Sequence, residues 1–106
     1  MKVEDEGLLD EFRQKRFCER CQTPLRYQAH PHHIHSRGAG RVDIRGNLIA
    51  LGGAFDCNCH GLTHDGKIGR EELLLLTALR EGLTVESIVD EVHRLRRLDK
   101  DGREPR

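Results

Sequence analysis

Six of the seven histidines fall in two short runs, His30-Pro31-His32-His33-Ile34-His35 and His60-Gly61-Leu62-Thr63-His64, with Asn47-Leu48 between them. Neutral imidazole is a good ligand for first-row divalent metals, so a fold that brings these runs together builds a metal site. A helix from about Asn58 to His64 places His60 and His64 one turn apart on one face, and Asp65-Gly66 supplies its stop. The third ligand then comes from the first run, with His32 as the candidate. His33 beside it stays unligated, an imidazole able to take a proton from water near neutral pH. Adjacent strand residues face opposite ways, so His32 and His33 share a site only where the strand ends or twists, as Pro31 and Gly38 around them allow. Asn47 is expected to steady the His33 ring through its other nitrogen or a neighbouring carbonyl.

A chain of 106 residues that is 36% hydrophobic, with four aromatic residues, makes one small domain with a thin core. A structural metal would therefore matter to folding. Four cysteines, Cys18, Cys21, Cys57 and Cys59, are available for it. Met1 is followed by Lys-Val-Glu-Asp-Glu rather than an apolar run, so no signal peptide is expected and the compartment is read as cytoplasmic and reducing. There, clustered cysteine reads as structural zinc rather than disulfide. No stretch is long enough to span a bilayer, and the chain is expected to be soluble, away from membranes.

Along the chain, Leu8, Leu9 and Phe12 follow an acidic start and predict a short helix within residues 4–16. Residues 26–34 read as a strand anchored by Tyr27 and Ile34. The glycines from Gly38 to Gly46 open a loop, and Leu48 to Leu51 form a second strand antiparallel to the first, broken by Gly52-Gly53. Leu73 to Leu76, Ala78 and Leu79 are apolar nearly all round, which predicts a helix buried against the rest and ended by Gly82. Thr84 is a plausible N-cap for a second helix with Val85, Ile88, Val89, Val92, Leu95 and Leu98 along one stripe, and a frayed tail is expected from Asp99.

The run HHIHSRGAG, then D-x3-NL-x2-L, then CH-x3-HDGK resembles the HNH endonucleases, particularly the small phage-encoded ones. The resemblance covers residues 17–68, about half the chain, and leaves 69–99 as a C-terminal helical pair. It implies an α+β fold with a ββα-metal (His-Me finger) core, a zinc knuckle and flanking helices. It also implies a reaction, hydrolysis of DNA to leave a 5′-phosphate with one divalent ion, whether Mg, Mn, Ni or Zn. By position His33 is similar to the general base, Asn47 to the central asparagine and His60 to the final histidine. His32, where many members have Asp, and His64 fall where the remaining metal ligands occur. The cysteines resemble the structural zinc site of many such nucleases, whose usual second half is Cys-x2-Cys. Here the pair is Cys57-Asn58-Cys59, so Asp56 or water is an alternative to Cys57 as ligand. Arg37 is similar to an arginine of the phage members, and a partner implied by analogy alone is the packaging terminase in a host cytoplasm.

Net charge is zero, but residues 12–50 carry Arg13, Lys15, Arg16, Arg20, Arg26, Arg37, Arg41 and Arg45 against only Glu19 and Asp43. Such a patch suits phosphodiester, with Arg37 and Arg41 as DNA-binding candidates, and it equally suits a solvated surface. His30 and His35 could touch phosphate or be solvated, with solvation favoured, and His93 is read as a surface residue. The alternative function is a non-catalytic zinc module that binds DNA or a protein partner.

Overall fold

The computed structural model describes residues 4–35 and 41–102, the side chains of 98–102 excepted. Among these residues the order is α1 (Glu6–Arg13), β1 (His30–His33), a 3-10 turn (Arg45–Asn47), β2 (Leu48–Leu51), α2 (Cys59–His64), α3 (Arg70–Glu81) and α4 (Val85–Gly102). It is a small α+β fold with one two-stranded sheet. Residues 36–40, with Arg37 and the start of the loop expected from Gly38 to Gly46, and the side chain of Leu98 lie outside the described residues.

The sheet is antiparallel, pairing His30 with Leu51, Pro31 with Ala50, His32 with Ile49 and His33 with Leu48. All four β2 residues are buried, because apolar layers cover both of its faces. Leu48 and Ala50 pack with Leu9 and Phe12 of α1, while Ile49 and Leu51 pack with Leu73, Leu74, Ala78 and Ile88 of α3 and α4. Alternation of side chains along the strand makes one short segment the shared floor of both layers. Among the described residues the outer edge of β2 is closed by the backbone and side chain of Glu19 and by Arg80 rather than by a third strand. The Ala50 amide donates to Glu19 Oε1 at 2.8 Å, and the Leu48 carbonyl accepts from Arg80 Nη2 at 3.0 Å. Those bonds answer the need of every buried backbone group for a partner.

The predicted helices are present. Asp5 caps α1 by accepting from the Leu8 amide, Gly82 ends α3 in the left-handed region, and Thr84 caps α4 by accepting from the Ser87 amide. Gly46 is required by close packing, since a Cβ there would lie 2.9 Å from Ile88 Cγ1.

Three expectations need correction. The first strand begins at His30, not at residue 26, and Tyr27 is exposed. The amides of Arg26 and Tyr27 donate to the Asp56 carboxylate at 2.9 and 3.2 Å and so leave the ladder. Helix α3 is buried on one side only: Leu73 and Leu74 are covered, whereas Leu75 and Leu79 are 58% and 81% exposed. Four consecutive leucines sweep round the whole helix circumference, and the sheet and α4 cover only part of it. The last helix runs on to Gly102 instead of fraying at Asp99. Among the described residues, no helix is long and apolar enough to cross a membrane.

Candidate metal centre

The described residues bring together two clusters of ligand residues, one of sulfur and one of imidazole. Cys18 and Cys21 come from a tight turn before β1, in which the Gln22 amide donates to the Cys18 carbonyl and Gln22 adopts φ 64°. Cys57 and Cys59 come from the turn that enters α2, with Asn58 at φ 60°. The four Sγ atoms lie within 4.8 Å of one another. A tetrahedral zinc with bonds of about 2.3 Å needs sulfurs roughly 3.8 Å apart, so these four cysteines could hold a structural metal ion such as zinc. None of the four is in a disulfide. Cys57 belongs to the group and Asp56 does not, its carboxylate being occupied by the Arg26 and Tyr27 amides. Gly52 lets Cys57 approach the backbone, since a Cβ there would stand 2.5 Å from Cys57 Sγ.

The thiols differ in acidity. Burial pushes Cys59 up to about 12 against the opposing contact with Arg20, and burial likewise raises Cys57. At Cys21 burial is outweighed by hydrogen bonds from Thr23 and the neighbouring thiols, which bring it down to about 6. A bound cation would replace the thiol protons and remove the cost of burying them.

In the second cluster, His32 from β1 meets His60 and His64 from α2, and their ligand nitrogens also lie within 4.8 Å of one another. The helical i, i+4 spacing sets His60 Nε2 and His64 Nε2 3.1 Å apart. That is close to the roughly 3.3 Å between two nitrogens on a tetrahedral zinc, so the three rings fit a divalent cation. Burial, and then the neighbouring imidazoles, push His32 down to about 4; burial, His30 and His64 do the same to His60. Both rings are therefore neutral near pH 7, the form that ligates metal. His30 stacks on His60 with ring centroids 4.8 Å apart, which sets the plane of one ligand.

His32 and His33 line one groove of about 670 Å³ together with His60, His64, Arg13 and Arg70. They can do so because β1 ends at His33 and the chain bends at Ile34 and His35. The His33 ring is held by Asp43, not by Asn47 as expected. His33 Nε2 lies 2.6 Å from Asp43 Oδ1, with the His33 side chain 7% exposed and that of Asp43 fully buried. Burial opposes ionisation of Asp43, but hydrogen bonds from Arg41, the Asp5 amide and His33 outweigh it and hold its pKa below the usual carboxylate range. An ionised Asp43 accepts the His33 Nε2–H and leaves the Nδ1 lone pair available.

Asn47 is buried and acts on the backbone. Its Oδ1 accepts the His35 amide at 2.8 Å, its Nδ2 donates to the Val42 carbonyl at 3.0 Å, and its own carbonyl accepts the Ile34 amide at 2.9 Å. It fastens the exit of β1 to the entry of β2, and its side-chain hydrogen bonds go to backbone groups of His35 and Val42. Arg41 likewise departs from expectation, because its guanidinium bonds Asp43 and Glu6 and is turned inward. Much of the basic stretch is neutralised in the same way: Arg13 pairs with Asp10, Arg20 with Glu72, and Arg45 with Glu11 and Glu81. Sequence reasoning missed Asp43 as the partner of His33 and Arg70 as a groove residue. A signal for the first was present, a carboxylate four residues before Asn47 in the D-x3-N pattern.

No family model, curated protein or solved structure matches this chain.

Proposed function

We propose that this chain is a metal-dependent DNA endonuclease of the HNH type, with the β1, β2 and α2 segments as a ββα-metal core. The observation that carries the reading is the convergence of His32, His60 and His64 within 4.8 Å beside a fourth, unligated imidazole fixed by a buried carboxylate. When bound, a divalent ion at the three rings supplies charge stabilisation to a phosphate oxygen and to the leaving oxygen. His33 takes a proton from water at Nδ1, since its Nε2 is committed to Asp43, and Asp43 stabilises the imidazolium so formed. Asp43 is in turn held by Arg41, which therefore supports the base rather than meeting substrate. Arg70 on the groove wall is placed to meet phosphate, whereas Arg13 beside it is paired with Asp10.

Supercoiled plasmid incubated with purified protein and Mg, Mn, Ni or Zn is expected to become nicked or linear with at least one of them. Binding of DNA without cleavage under every metal would instead favour the second reading, a non-catalytic zinc module. The observation on that side is the internal pairing of most arginines in the basic stretch. A terminase partner is carried by the phage resemblance alone.

A further inference from the structure

The hydrolytic scheme leaves a second groove, of about 390 Å³, without a role. Its wall carries Arg16, Leu25, Arg26, Tyr27 and Gln28 from the segment between α1 and β1, and Arg13 from the end of α1. Arg13 also lines the histidine groove, so the two grooves meet at that residue. Beside the second groove stands a pair of aromatic rings. Tyr27 is 60% exposed and Phe55, from the turn before Cys57, is 76% exposed, yet their ring centroids lie 5.9 Å apart. The Arg26 guanidinium lies 5.9 Å from the centre of the Tyr27 ring. Single exposed apolar residues are ordinary, but two rings in contact and kept in water beside guanidinium groups make a platform for a flat ligand.

The platform is built in advance. The amides of Arg26 and Tyr27 donate to the Asp56 carboxylate, whose side chain is 4% exposed, and Arg26 Nη2 donates to the Phe55 carbonyl at 2.9 Å. The Leu25 amide donates to the Arg16 carbonyl at 2.9 Å and so sets Arg16 beside the same segment. Bonds of this kind fix both ring-bearing loops before a ligand arrives, which lowers the cost of ordering them on binding. The charge of the groove is positive, and no acidic residue lines it. Arg13 and Lys15 are paired with Asp10 and Glu19, so the attraction rests on the other two cations. Arg16 is exposed and makes no ion pair among the described residues. The Arg26 side chain is 79% exposed, with Asp56 Oδ1 3.9 Å from its Nε.

We infer that Arg16, Arg26, Tyr27 and Phe55 form a binding site for an unpaired stretch of nucleic acid strand, with a base stacked on the aromatic pair and phosphates on the two guanidiniums. Every base offers a π-face, so such a site tolerates any sequence. In a duplex those faces are already covered by neighbouring bases, so the site selects unpaired strand. Because this groove joins the histidine groove at Arg13, the strand it holds is the unpaired continuation of the DNA being cut. That last step rests on the nuclease reading; the strand-binding site itself does not.

The chain has one tyrosine and no tryptophan, so its intrinsic fluorescence reports on Tyr27. In the His33→Ala background, which would not cut, oligo(dT) is expected to quench that fluorescence saturably, with free tyrosine as the control for absorption by the DNA. A duplex of equal length is expected to leave it unchanged. In anisotropy titrations of labelled oligo(dT), Tyr27→Ala and Phe55→Ala, both on exposed residues, are each expected to raise Kd about 5- to 150-fold, the effect of one lost base–aromatic stack. Tyr27→Phe keeps the ring and is expected to keep the affinity, which separates stacking from damage to the fold. Arg16→Gln is expected to reduce the slope of log Kd against log salt by about 0.7 in magnitude, the value of one phosphate contact on a single strand. Equal quenching by the duplex would overturn the selection of unpaired strand. Absence of quenching, or a Kd unchanged by Tyr27→Ala, would overturn the site altogether. Failure of the wild type to cut plasmid with any metal sinks the nuclease reading and leaves the fluorescence arm standing.

Discussion

The sulfur cluster and the imidazole cluster differ in almost every physical respect except their compactness. The cysteines sit at two tight turns, and two of the four are buried in the main apolar layer with Ile49, Leu51 and Leu73. The histidines line an open groove, His64 is exposed, and none of the three belongs to a core cluster. One set of ligands is part of what fills the interior, and the other is presented on a finished scaffold. On the proposed function, an ion removed from each cluster would have opposite consequences, loss of fold at the first and loss of chemistry at the second.

The largest expected effect is at the sulfur side. Cys59→Ser, or chelation of the structural ion, is expected to abolish cooperative unfolding, because structural zinc contributes on the order of 10 kcal/mol in small domains with thin cores. Thermal melts by circular dichroism check this; an unchanged melting temperature would break the contrast. Next is Asp43→Asn, which removes the carboxylate that holds His33, the proposed base. It is expected to lower kcat about 10²- to 10⁴-fold with KM for DNA little changed, since Asp43 positions His33 and meets no substrate. A rise in KM alone would assign Asp43 to DNA binding instead.

The smallest effect concerns protons. Because burial and the neighbouring rings hold His32 and His60 near 4, both are already deprotonated at pH 6 and release nothing when an ion binds. The histidine site is therefore expected to release at most about one proton per ion at pH 6, against about two for three ordinary imidazoles. Calorimetric titration in buffers of different ionisation enthalpy measures it, and two or more protons would show that the rings are not held neutral.

Where local spacing carries the information, the sequence was a good guide. His60 and His64 are four apart and a helix must bring them together, while Leu48 to Leu51 is too short and apolar to be anything but a covered strand. What escaped depends on long-range partners. Tyr27 looks like a strand residue until the Asp56 carboxylate, 29 positions away, takes its amide. Leu75 and Leu79 look buried until the packing of α3 shows that only one side is covered. Asp43 lies in a stretch with no periodicity, and its place four residues before Asn47 marks the position without showing that its side chain reaches His33. By sequence Arg41 and Asn47 look like groups facing substrate and base, yet both hold the scaffold that positions His33 and His35.

The account depends most on His33 being a base that binds no ion. Metal content and plasmid cleavage measured together on His33→Ala test it directly. The expected result is a folded protein that still binds one ion at His32, His60 and His64 and has lost cleavage by 10²-fold or more. Cleavage at the wild-type rate, or loss of the ion together with the ring, would contradict it.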